Sequence, residues 1–266
     1  INEIGTINFF VNGVSDSVNR NVINSLTCDN VTAAIGGANA PTIEEIRNYV
    51  SFNFAAQNRA VTVNDYDSII RTMPSQFGAP AKVAITEEDN KIKVKILSFD
   101  ENGKLTETIS NTLKTNVANY LSNYRMVNDY VSIESASVID LAIDIDVVLD
   151  NSQNQGAVIT KIINQTTEFF SPNKIQMGQN IYISDLRKII QNENGVISIS
   201  DISVYNKVGG QYSSSQTSQR YASPTDRKIE LIDDTIFAEA SQTYQVRFPN
   251  KDIRVRVKNL KTVNFS

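Results

Sequence analysis

The segment Val138–Asp150, VIDLAIDIDVVLD, decides the fold class. Apolar and acidic residues alternate along it with the two-residue period of a strand. Asp140, Asp144, Asp146 and Asp150 share one face, and Leu141, Ile143, Ile145, Val147 and Leu149 share the other. The pattern predicts a strand that rests its aliphatic face on a core and turns its carboxylates to water. Beyond it the period becomes helical. Val158, Ile159, Ile162, Ile163, Phe169 and Phe170 form one stripe that stops at Ser171-Pro172. SDLRKIIQNEN predicts a second helix, with Gly195 placed as its left-handed cap, and VISISDISVYN returns to strand.

Upstream, AKVAI and KIKVKILSF flank the polar EEDN and predict a hairpin, with Lys91, Lys93 and Lys95 opposite Ile92, Val94 and Ile96. If this strand lies beside 138–150, lysine and aspartate rows meet on the wet face, contributing about 0.2–1 kcal/mol per pair. DENG, from Asp100 to Gly103, is a turn that lacks the calcium-loop pattern. It leads into a helix with Ile109, Leu113, Val117, Tyr120, Leu121 and Tyr124 on one face, and VSIES follows as strand.

The stretch NRAVTVNDYDSII, Asn58–Ile70, concentrates reactive groups but reads as a helix start. Thr62 and Asp65 have capping-box spacing, Val61 and Tyr66 that of a hydrophobic staple, and Val63, Tyr66, Ile69 and Ile70 line one face. Arg59 is left to pair with Asp65 or with an acidic group on another chain. TIEEIRNYVSFNFA repeats the pattern, with a Thr42–Glu45 box, and TINFFVNG reads as a strand near the start. At the other end, GGQYSSSQTSQRYASPTDR predicts a long exposed loop in which Tyr212 and Tyr221 are interface candidates. TYQVRF and IRVRVK flank PNKD and predict a terminal hairpin. Arg254 and Arg256, with Lys258, give it a charged face that blunts edge-to-edge aggregation or meets an acidic partner.

The fold expected from this order is α+β: small, mostly antiparallel sheets with helices packed on one face, in two consecutive α/β subdomains plus a C-terminal β-hairpin. The organisation runs as residues 1–57, an N-terminal strand, loop and helix; 58–135, a first α+β subdomain; 136–206, a second; and 207–266, the polar loop and hairpin.

Composition narrows the function. Of 266 residues none is histidine, so imidazole bases, Ser–His and Cys–His pairs and His-containing zinc sites are excluded. Cys28 is the single cysteine and has no internal disulfide partner, which suits a reducing compartment. A net charge of -4 argues against nucleic-acid binding. No apolar run reaches the ~18 residues of a membrane span. No glycine-rich phosphate cradle follows a strand. A non-enzymatic protein is expected, without cofactor, metal, small-molecule substrate or membrane insertion. The chain opens with INEIG rather than Met, which reads as a piece of a longer protein.

The run GGANAPTIEEIRNYVSFNFAAQNRAVTVNDYDSII resembles the hallmark region of the baseplate J-like family of contractile-tail proteins. The matching positions are Gly36, Gly37, Thr42, Glu44, Glu45, Arg47, Arg59, Ala60, Val61, Thr62, Asp65 and Tyr66. SDLRKIIQNENGVISISDI is similar to the family's ending, so the resemblance spans Ile35 to Tyr205. It implies a structural subunit of a phage baseplate wedge, located in the virion tail and assembled in the host cytoplasm. It also implies a homodimer that joins other wedge proteins in a ring around the tail hub and rearranges on infection. The rival is a glycan-binding or glycan-cleaving tail module using Asp144 and Asp146, since such chemistry needs two carboxylates ~5–10 Å apart.

Overall fold

The computed structural model describes residues 59–74, 77–88 and 91–258, together with Ile43 and Arg47, all within one compact unit, residues 36–266. The strand expected near the start and the Thr42–Glu45 box lie outside the described residues. Ile43 and Arg47 are helical and exposed.

The described chain is α+β, built on two mixed sheets. The first lobe comprises α1 (Val63–Arg71), β1 (Lys82–Glu88), β2 (Lys91–Phe99), β3 (Leu105–Thr106), α2 (Asn111–Ser122) and β4 (Tyr130–Ser135). β2 is its centre, antiparallel to β1 and β3 and parallel to β4. The expected hairpin is thus β1–β2, with Lys82 opposite Leu97 and Glu88 opposite Lys91. Tyr66, Ile69 and Ile70 of α1 and Leu113, Val117 and Leu121 of α2 pack on Val94 and Ile96.

The capping box at α1 is formed: Asp65 N donates to Thr62 Oγ1 at 3.2 Å and Thr62 N to Asp65 Oδ2 at 2.8 Å. The staple is not, because Val61 is 65% exposed while Tyr66 is fully buried. Ala60 bridges Arg125 and donates its N–H to Tyr124 at 2.8 Å. That bridge holds Ala60 inward, and the extended backbone then turns Val61 out.

From β4 the chain passes through Ala136 directly into β5 (Ser137–Leu149), so one extended stretch serves both sheets. The second lobe continues with α3 (Gln155–Phe169), β6 (Ile181–Tyr182), α4 (Ile183–Gln191), β7 (Val196–Lys207), β8 (Tyr221–Ser223), β9 (Lys228–Ile229), β10 (Thr235–Ile236), β11 (Gln242–Gln245), α5 (Pro249–Asp252) and β12 (Ile253–Val257). Its six-stranded sheet runs β11–β5–β7–β9–β8, with β12 also on β5, while β6 and β10 pair separately. Val158 and Ile162 of α3 and Leu186 and Ile190 of α4 share one core with Leu141, Ile143 and Ile145.

Four expectations are corrected here. The terminal segments are not a hairpin, because β11 and β12 both run parallel to β5, one after the other along the same edge. Pro249, which lacks an N–H, opens the one-turn helix between them, and Asp252 Oδ2 accepts the Phe248 N–H at 2.9 Å to close that turn. The polar segment after β7 is exposed over much of its length, but it is not loop throughout: Ser213 is bonded to β5, and Tyr221–Ser223 form β8. The lysine row of β2 does not meet the aspartates of β5. Lys93 and Lys95 pair instead with Glu88 and Glu134, because β2 and β5 are in different sheets. Gly195 has φ +98 but lies beyond the Asn192 cap of α4, in the turn where Asp150 N donates to Gly195 O at 2.9 Å. A Cβ there would stand 2.9 Å from Val158 Cγ2, so the left-handed backbone and the close approach of α3 both favour glycine.

Candidate functional site

The acidic face of β5 is not a uniform solvated row. Asp140 is completely buried, and the side chains of Asp144 and Asp146 are only 13% and 14% exposed. β12 supplies their counter-ions: Arg256 pairs with Asp144, and Lys258 with Asp146 at 2.7 Å. Parallel register places Arg254 beside Asp144 and Arg256 beside Asp146, so each of these pairs reaches diagonally back along β5. Two nearby carboxylates are thereby neutralised by cations of the neighbouring strand.

Asp140 is the centre of a buried polar clasp between the lobes. Gln245 Nε2 donates to Asp140 Oδ1 at 2.9 Å, and Ser213 N donates to Oδ2 at 2.6 Å. The Gln245 amide also pairs with the backbone of Leu105 in the first lobe. Leu105 N donates to Oε1 and Nε2 donates to Leu105 O, both at 3.0 Å. Arg247 adds a donor to Leu105 O at 3.3 Å and an ion pair to Asp100 at 2.7 Å. Lys82 donates to Ile175 O across the same junction. Leu97, Leu105, Ala136 and Val138 form the small apolar core beneath.

Burial pushes the Asp140 carboxyl above the usual carboxylate range, and the Ser213 N–H, the Gln245 amide and the nearby Arg247 charge pull it back. An isolated buried carboxylate would cost several kcal/mol. The clasp therefore exists as a unit. Its residues carry no sequence signal, since Asp140 looks like Asp144, and Gln245 alternates with buried Tyr244 as an outward polar residue would.

The interface candidates of the C-terminal region are engaged within the chain. Tyr212 donates to Asp252 Oδ1 at 2.7 Å, meets the Phe248 ring edge-on at 5.5 Å and lies under the Lys251 ammonium. Burial and the Asp252 contact raise the pKa of its hydroxyl. Tyr221 donates to Asn206 Oδ1 at 2.7 Å, and Thr217 N donates to the same oxygen at 3.1 Å. Ser213 Oγ donates to Val138 O at 2.5 Å, completing the attachment of the polar segment to β5. Arg254 is exposed, and among the described residues it makes no ion pair.

In the first lobe, Thr62 and Asp65 serve the cap described above, and Arg59 is exposed without an ion pair among the described residues. Asp65 does not take it; its Oδ2 accepts from Val61 N and Thr62 N. The Tyr66 hydroxyl donates to Asp129 at 2.6 Å, and burial first, then Asp129, raises its pKa. Val61–Asn64, Glu87, Ile92 and Asp129 frame an open groove of about 480 Å³. Close to Asp129 in sequence, Met126, Val127 and Tyr130 are exposed, Val127 completely. Among the described residues no three acidic or Cys side chains converge as a metal-ligand set.

The order of elements, the extended stretch through Ala136 that joins the two sheets and the terminal strands on β5 together define the fold. A chain of the anti-feeding prophage baseplate shares this fold. The match has a TM-score of 0.51 at 12% identity and covers 77% of this chain and 42% of the other, so this chain spans less than half of that chain's length. No protein-family model matches the sequence, and no curated protein does.

Proposed function

We propose that this chain is a structural subunit of a contractile-tail baseplate, acting through self-association and partner docking rather than catalysis. The observation that carries this reading is the fold shared with a baseplate chain over most of the present sequence. The family resemblance of the segments around Thr62 and Gly195 supports it independently. The FPNKDIRVRVK segment and Asn-rich composition are most like the gene-six product of T-even-type phages, a baseplate wedge protein. In this reading the protein is a homodimer that joins other wedge proteins in a ring around the tail hub, sits in the virion tail, is assembled in the host cytoplasm and changes arrangement on infection.

The side-chain chemistry fits such a role. Asp144 and Asp146 face cations of β12, which is the environment of structural ion pairs, and the clasp at Asp140 fixes one lobe on the other. Val61, Met126, Val127 and Tyr130 offer apolar surface of the kind that assembly covers. The test is co-expression with wedge proteins of a contractile tail, followed by native mass spectrometry. A complex of fixed stoichiometry is expected. Failure to associate with any wedge protein, or turnover of a glycan that disappears in Asp144→Asn, would overturn the reading.

A further inference from the structure

Of the two edges of β12, one is occupied by another strand. β5 pairs with that edge, and among the described residues no strand pairs with the other. Lys258 N donates to Val147 O at 2.8 Å, which sets the alternation of the strand. Arg254 and Arg256 direct their backbone groups toward β5 in the same way, and Val255 and Val257 direct theirs outward. Edge strands in soluble proteins are commonly blunted by charges projecting from them, by proline or by bulges. Here Arg256 and Lys258 fold back over β5 onto Asp144 and Asp146, leaving the edge itself uncovered by them.

The two faces beside this edge differ in chemistry. On one, Arg254 is exposed and forms no ion pair among the described residues. On the other, Val255 and Val257, with Ile159 and Ile163 of α3, border the core and are only half-buried. Lys161 and Gln165 reach from α3 to Glu193, beyond α4. At helical spacing, Ile159 and Ile163 then lie on the flank turned the other way, toward β12. A strand added at the edge would meet a cation on one face and aliphatic side chains on the other. β12 already accepts such a strand on its occupied edge, where Asp144 and Asp146 alternate with Ile143, Ile145 and Val147.

We propose that the open edge of β12 is a strand-addition site for a partner protein, whose docking segment is extended and alternates acidic with aliphatic residues. Main-chain hydrogen bonds to Val255 and Val257 supply the attachment. Arg254 on one side and the Val255–Ile159 flank on the other select the sequence. The site does not depend on the baseplate reading, since edge, cation and flank belong to the sheet itself.

The test uses the full chain and fluorescence anisotropy with a labelled peptide of roughly eight residues, a typical strand length, alternating valine and aspartate. Saturable binding is expected, weakened about tenfold or more when lysine replaces aspartate in the peptide. Arg254→Glu should reverse that preference. Val255→Pro removes an outward N–H without touching the pairing to β5, and should abolish binding while leaving the melting temperature within a few degrees. Equal binding of the two peptides, or full binding by folded Val255→Pro, overturns the proposal. If Val255→Pro does not fold, the exposed Arg254→Glu decides alone. Protection of the Val255 and Val257 amides from exchange in the free protein also overturns it, because a second copy or another segment of this chain would then occupy the edge.

Discussion

Gln245→Ala tests whether the lobes are held by the buried clasp. Gln245 is 1% exposed, and its amide bonds Leu105 N, Leu105 O and Asp140 Oδ1 at 2.9–3.0 Å. Truncation leaves the Leu105 N–H and one Asp140 oxygen without partners, while Leu105 O keeps its longer contact to Arg247. Each stranded buried group costs about 1–3 kcal/mol. The space vacated adds about 1 kcal/mol. The expected loss is therefore about 3–7 kcal/mol, a large part of the ~5–15 kcal/mol typical of a folded domain. In urea unfolding the midpoint should fall while the slope stays constant, and the Leu105 amide should exchange faster. Gln245→Glu keeps the volume and the acceptor for Leu105 N–H but sets a second carboxylate against Asp140 and the Leu105 carbonyl. It should cost a similar amount at neutral pH and recover on acidification, as either carboxyl takes a proton. An Ala variant within about 1 kcal/mol of the parent, or a Glu variant without cost at neutral pH, refutes the clasp.

Further outcomes follow from single contacts. The folded-state pKa of Asp140 is raised by burial, so its stabilisation is complete below the unfolded value of about 3.9 and is lost as pH rises through the folded value. Asp140→Asn does not titrate; the stability gap between it and the parent, measured in urea, should narrow as pH rises, and a widening gap contradicts the assignment. Thr62→Ala removes the acceptor for Asp65 N and should cost about 1 kcal/mol, read as a lower urea midpoint. Gly195→Ala combines φ +98 with a 2.9 Å approach to Val158 Cγ2 and should cost about 1–3 kcal/mol. A calorimetric melting temperature unchanged in Gly195→Ala would refute both the backbone strain and the crowding against Val158.

Periodic signals were legible because they are local. The alternation of 138–150, the hairpin at Glu88–Lys91 and the box at Thr62 each depend on neighbours within a few residues, and each element forms as its spacing implies. What sequence left hidden depends on pairings between distant stretches of chain, such as 73 residues for Ser213–Asp140, 105 for Gln245–Asp140 and 112 for Arg256–Asp144. Nothing local distinguishes Asp140, sealed by Ser213 and Gln245, from Asp144, matched by Arg256. The terminal strands look like a hairpin because two β-rich segments flank a short polar link. Their parallel pairing with β5 is a tertiary choice, made where β5 offers a long edge and Pro249 interrupts the ladder. The serine-rich segment looks unstructured for the same reason: its partners, Val138, Asp140, Asn206 and Asp252, lie on other elements.

The central claim, that this chain works by assembling, is tested most directly by sedimentation equilibrium of the purified protein over a wide concentration range. The account predicts a mass of two chains, populated increasingly with concentration. A single-chain mass of 29.5 kDa at every concentration contradicts it.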